Sequence, residues 1–279
     1  MKITRRDMLR LGLGASALAF APIRLFAEGV CPKSIPIALQ LYSIRGIAGN
    51  DLAKTFETVA GLGYVGVEFA GTFGKDAKTL RGLLDDAGLK CCGTHIGMGD
   101  FEGDNLKRNI EYYQTLGTCF MTISGMGVDR TVEAWKKRAE WFNEKSALCQ
   151  KDGMFMGFHA HGGEFNHHNF DGLTGWEILF KNTDDAVTHQ MDTGNCMGGG
   201  DDPVKFIRMF PGRTRHIHLK EHGGGDIVGK GDCPWDDVFK AVGEVGGTQW
   251  YIIESESRPD DYTLVDASIK GLKEMLAKY

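Results

Sequence analysis

Strand-like and helix-like segments alternate in eight units from about residue 35 to the last helix, and no other feature restricts the fold as strongly. The strand-like segments are 35–42, 64–69, 89–96, 120–124, the stretch opening at Phe155, 186–192, 214–220 and 249–254. Helical spacing follows each. Asp51 can cap the first helix, and Leu52, Phe56, Val59 and Ala60 form its apolar face. Gly88 stops the second at the end of 76–87. Further helices are expected at 105–116, 131–151, 173–180, from Pro203 to before Pro211, 235–245 and 266–276. The repeat is about 30 residues, with no interior linker. Such alternation implies a parallel sheet, and eight units imply a closed (β/α)8 barrel. A doubly wound open sheet would need a glycine-rich phosphate turn after the first strand. The residues following Tyr42, SIRGIAG, are not one.

A length of 279 residues suits a single barrel of about 250 residues preceded by a leader. The net charge of −5 argues against nucleic acid or an anionic membrane as partner. Residues 1–27 read as a cleavable export signal. Arg5 and Arg6 precede a small apolar run from Leu11 to Ala21, too short to span a bilayer. The arginine pair points to the twin-arginine route and a periplasmic destination, with cleavage after Ala21 or Ala27 and no stable membrane anchor. The seven cysteines are odd in number and lack a disulfide spacing, so most are expected as buried small hydrophobes.

The chemistry gathers at strand ends. His159 and His161 share one face of an extended strand, and Glu164 follows two glycines. The later strands end in Gln190 and Asp192, in His216, His218 and Lys220, and in Glu254. A barrel places its site where its strands end. Glu68, His95, His159, His161, Glu164, Asp192, His218, Lys220 and Glu254 would therefore converge on one mouth. Carboxylates and neutral imidazoles packed so closely call for a cation. One divalent ion is expected, Zn²⁺ or Mn²⁺ before Mg²⁺ or Co²⁺.

From about residue 35 onward the chain resembles the xylose isomerase-like TIM barrels, the sugar phosphate isomerase/epimerase group. The carriers are LQLYS at 39–43, GLGY at 61–64, Val67-Glu68, His159-Ala160-His161 with Glu164-Phe165, MDTGN at 191–195, HIHLK at 216–220 and WYIIE at 250–254. The resemblance implies metal ligands at Asp192, His218 and Glu254. At the family's usual strand-five glutamate this chain has His159, as in a subgroup with a His-Asn-His motif, and Ala160 stands at the Asn. Glu164 is then a candidate for the missing carboxylate. Many relatives hold a substrate-binding His three positions past the aspartate; here it is Asn195.

A divalent ion that chelates a sugar carbonyl and its neighbouring hydroxyl acidifies the proton on the carbon between them. Glu254 is the candidate base, with His161 and His95 as alternatives, and Lys220 is a candidate oxyanion partner. Glu68 and Asn195 are assigned to substrate binding, Glu68 by orienting a neighbour. Trp235 could stack on a sugar across the mouth, or anchor the start of its helix. The expected function is a metal-dependent sugar isomerase or epimerase, with a small carbohydrate as partner and a homo-oligomer left open. Other readings are a lyase or hydratase of 3-keto-glycosides, a non-catalytic sugar-binding barrel, and an endonuclease-IV-like nuclease. An unphosphorylated substrate is expected, because acids crowd both candidate phosphate loops. Asp226 follows Gly223–Gly225, and Glu256, Asp260 and Asp261 flank Arg258.

Overall fold

A computed structural model describes residues 29–166, 170–257 and 261–279. The expected leader at 1–27, and with it Arg258 and Asp260, lies outside the described residues. Eight parallel strands form one closed barrel in sequence order, with β8 pairing back to β1. The strands are β1 Ile37–Gln40, β2 Gly66–Ala70, β3 Lys90–Ile96, β4 Phe120–Ile123, β5 Phe155–His159, β6 Thr188–Asp192, β7 His216–Leu219 and β8 Trp250–Ile253. The helices α1 Leu52–Gly61, α2 Ala77–Ala87, α3 Gly103–Leu116, α4 Val132–Gln150, α6 Gly175–Lys181, α8 Pro203–Met209, α9 Trp235–Val245 and α10 Thr263–Leu276 follow the successive strands. Two short helices, α5 Gly163–Asn166 and α7 Thr193–Gly198, sit at the ends of β5 and β6.

The caps follow from side chains that can accept from free helix-end N–H groups. Asp51 accepts from Lys54 N, Asp76 from Thr79 N and Thr131 from Ala134 N. Gly88 closes α2 with φ of 70°, a conformation that penalises a Cβ. Most of the apolar core lies between the strands' outer faces and the helices. Phe56, Leu80, Phe142, Trp176, Phe206 and Phe239 are fully buried there. Trp135 is also fully buried, whereas Trp141 is only half-buried and donates to Glu102. A separate small cluster, Ala38, Cys92 and Ile252 with Trp250 against it, plugs the barrel interior below the site. All seven cysteines are free, and only Cys31 and Cys119 are not buried.

Three departures from the sequence reading matter for the site. β1 ends at Gln40, because the Gln40 side chain accepts from Tyr42 N and the chain turns into a 3-10 helix over Leu41–Ile44. The α5 and α7 turns were unforeseen, since each is too short to show a period. In β3 the register slips opposite Val67 and Glu68. This bulge lets Cys92 and His95, three residues apart, both face the interior, which a strict two-residue period forbids.

Candidate active site

The floor of the site is an ionised carboxylate. Glu68, fully buried on β2, accepts from Gln40 Nε2 at 2.6 Å through Oε2 and from Gln190 Nε2 at 2.7 Å through Oε1. His218 Nε2 and His95 Nε2 also approach its Oε2, at 2.7 and 3.1 Å. Burial alone would raise this carboxyl, but the two imidazoles outweigh it and hold Glu68 well below the usual range.

Above the floor, His159, Asp192, His218 and Glu254 each bring one ligand-type atom within 4.8 Å of the others. His218 Nδ1 lies 3.0 Å from Glu254 Oε2 and 3.9 Å from Asp192 Oδ2, and His159 Nε2 lies 3.7 Å from Glu254 Oε2. Asp192 accepts from Asn195 N through Oδ1, capping α7. Its Oδ2 is buried with no hydrogen-bond partner. An orphaned buried carboxylate oxygen is costly. Here it faces two imidazoles and a second carboxylate, the donor set that a divalent cation such as Zn²⁺ or Mn²⁺ satisfies. The residues present thus fit a metal.

Electrostatics agree. Burial drives the Asp192 carboxyl well above its usual range and His159 well below its own. Burial also opposes charge on His218, yet Glu68 and Glu254 push it up to about 10. The cluster therefore secures a positive charge by protonating His218. A divalent ion would take that role and release the proton.

The cluster opens onto a cavity of about 600 Å³, lined in part by Tyr42, Arg45, His95, His159, His161 and Glu254. His161, beyond the end of β5, is kept neutral at pH 7 by burial. Lys220 Nζ sits at the rim, 2.5 Å from Glu256 and 2.8 Å from Asn195 Oδ1. Asn195 also donates to Ala160 O, so it steers Lys220 and the β5 end.

Two candidates fall outside this mouth. Trp235 is buried against Phe239, and its indole N–H donates to Glu221 at 2.9 Å, so it anchors the start of α9. Glu164 accepts from His161 N at 2.9 Å and is not grouped with the four ligand-type residues. Glu68, in the floor, is too deeply buried to meet a substrate directly and orients its neighbours His95 and His218. The sequence reading gave no role in the site to Gln40, Gln190, Tyr42, Arg45 or Glu256, although it placed Gln190 beside Asp192 at a strand end. Gln190 shares the parity of Asp192, and Gln40 is the one polar residue of β1; those were the available signals.

Comparison with known proteins fits this geometry. Residues 56–275 match the family described as xylose isomerase-like TIM barrel. The chain is 23% identical to the inosose dehydratase of Geobacillus kaustophilus (strain HTA426), over 74% of this chain and 80% of that protein. A sugar phosphate isomerase/epimerase from Parabacteroides distasonis ATCC 8503 superposes with a TM-score of 0.74 at 22% identity, covering 86% of this chain and 93% of that one. The IolI protein, solved with a zinc atom, superposes with a TM-score of 0.69 at 14% identity, covering 88% and 99%. At these identities the solved structures show the shared fold.

Proposed function

Because the chain belongs to the xylose isomerase-like TIM barrel family, we propose that it is a divalent-metal-dependent enzyme that removes the proton beside a sugar carbonyl. The observation that carries this is the buried donor set of His159, Asp192, His218 and Glu254, with Asp192 Oδ2 unpartnered, opening onto the cavity. Those four residues would hold the ion. When bound, it supplies Lewis acidity toward a carbonyl and its neighbouring hydroxyl. Zinc is the first ion to try, given the zinc-bearing IolI.

The chain's own groups move the proton. Burial opposes charge on Glu254, but His218, hydrogen-bonded to it at 3.0 Å, outweighs that and holds it ionised, so its carboxylate is free to accept a proton. His161 is neutral and at the cavity wall, able to take a proton and hand it back. Return to the neighbouring carbon gives isomerisation, and return to the opposite face gives epimerisation. A second reading, loss of a β-hydroxyl, has the likeness to an inosose dehydratase in its favour. In that case a protonated His161 would deliver its proton to the leaving oxygen.

Electrostatics favour an unphosphorylated carbohydrate. Arg45 donates to the carbonyl oxygens of Tyr42, Ser257 and Glu256, and Lys220 is paired with Glu256. At the triglycine turn Asp232 crowds Gly223 and also binds His222. Little cationic surface remains there for a dianion. The test is turnover of matched free and phosphorylated ketoses and of 3-keto-glycosides. Higher kcat/KM for the free member is expected. A strong preference for the phosphorylated member would refute the substrate assignment.

A further inference from the structure

Gln190 supplies none of the four clustered atoms, yet its carboxamide sits between the floor and two of the imidazoles. Its Nε2 donates to Glu68 Oε1 at 2.7 Å. Gln40 Nε2 donates to Glu68 Oε2, and two imidazole nitrogens approach that same oxygen, so Glu68 is the acceptor throughout and the amide nitrogen must face its Oε1; a flipped amide would set oxygen against oxygen. Gln190 Oε1 therefore faces upward, 2.7 Å from His95 Nε2 and 3.1 Å from His159 Nδ1. An amide oxygen can only accept, so both of those ring nitrogens carry hydrogen. A neutral imidazole protonated on Nδ1 has its lone pair on Nε2. In His159, Nε2 is the nitrogen 3.7 Å from Glu254 Oε2. By the same logic a singly protonated His95 keeps its lone pair on Nδ1.

We propose that Gln190 is a positioning residue that fixes the tautomers of His159 and His95, presenting His159 Nε2 to the metal and His95 Nδ1 as a base. The proposal rests on the function inferred above. It explains how this chain works with an imidazole at the end of β5. A carboxylate there would be metal-competent through either oxygen. An imidazole is competent only through the nitrogen without hydrogen, and some neighbour must select it. Gln190 is fully enclosed, at 1% exposure, and Glu68 holds its amide from below, so the selection is built into the barrel floor.

Two measurements on the full chain test this. The first is long-range 15N–1H NMR of 15N-histidine-labelled wild-type protein, metal-free and zinc-loaded. His159 should carry its proton on Nδ1 in both states; a proton on Nε2 overturns the proposal. The second is zinc affinity by chelator competition. Gln190→Met should weaken binding by about 10- to 100-fold. In a His159→Ala background the same substitution should change affinity by less than about twofold, because the pathway through His159 is already gone. Undiminished affinity in Gln190→Met, or an equal loss in the His159→Ala background, overturns it. Gln190→Asn, which keeps the amide but shortens its reach, is the companion variant, and thermal melts confirm that each variant is folded. Wild-type protein without zinc affinity would refute the proposed function, whereas the metal-free tautomer of His159 still judges Gln190.

Discussion

At the scale of single residues, Asp192 has two separable jobs. Oδ1 caps α7 and Oδ2 is the free oxygen of the donor set. Asp192→Asn keeps a cap acceptor and loses the anionic ligand. It should leave the melting temperature of the metal-free protein within a few degrees of wild type while abolishing stoichiometric metal by elemental analysis. A full equivalent of metal in this variant would refute the ligand assignment. Glu164 offers a pH test. Burial pushes its carboxyl up to about 7 from an ordinary 4.5. An acid whose folded pKa is raised favours the folded state when protonated. Its contribution is complete below pH 4.5 and is lost as pH rises through 7. Glu164→Gln has no proton to lose and can still accept from His161 N. Its urea-unfolding free energy should therefore fall less steeply between those pH values than that of wild type; identical slopes would contradict the account.

At the scale of elements, strands and helices were readable because each barrel unit repeats the same physics: a buried strand, a capped amphipathic helix, a glycine or proline stop. Strand ends were readable too, which is why Asp192, His218 and Glu254 stood out. What escaped was whatever depends on register between strands. The β3 bulge changes which residues face inward, and no period within β3 announces it. Glu68 could be seen near the end of the expected strand 64–69, but it lies in the middle of β2, and its burial beneath His95 and His218 follows from barrel closure. Trp235 sits beside a long loop in sequence and could point either way; Glu221 decides the matter. Gly93 carries a prediction at this scale. A Cβ there would lie 2.9 Å from Glu68 Oε1 and 3.2 Å from His216 Cε1. Gly93→Ala should destabilise the protein by about 1–3 kcal/mol in urea unfolding and weaken zinc binding by displacing Glu68. Unchanged stability and affinity would show that the floor is more compliant than this packing implies.

At the scale of the whole molecule, the barrel brings side chains from seven of its eight strands into one polar centre: Gln40 from β1, Glu68 from β2, His95 from β3, His159 from β5, Gln190 and Asp192 from β6, His218 from β7 and Glu254 from just past β8. No helix among the described residues is long and apolar enough to cross a membrane. We propose that residues 1–27 direct export by the twin-arginine route. Their fusion to a reporter should be exported, and Arg5→Lys with Arg6→Lys should block it; export of the doubly substituted fusion would refute the route. The central claim concerns the reaction. Isomerisation, epimerisation and elimination all begin with loss of the proton beside a carbonyl, so one observable covers all three. The protein should be incubated in D₂O with a panel of free ketoses, inososes and 3-keto-glycosides, before and after chelation, and followed by NMR. The account predicts, for at least one carbohydrate, deuterium at the carbon beside the carbonyl or elimination from it, abolished by chelation and restored by zinc or manganese. Metal-replete protein that turns over a panel carbohydrate without exchange or elimination at that carbon would contradict it.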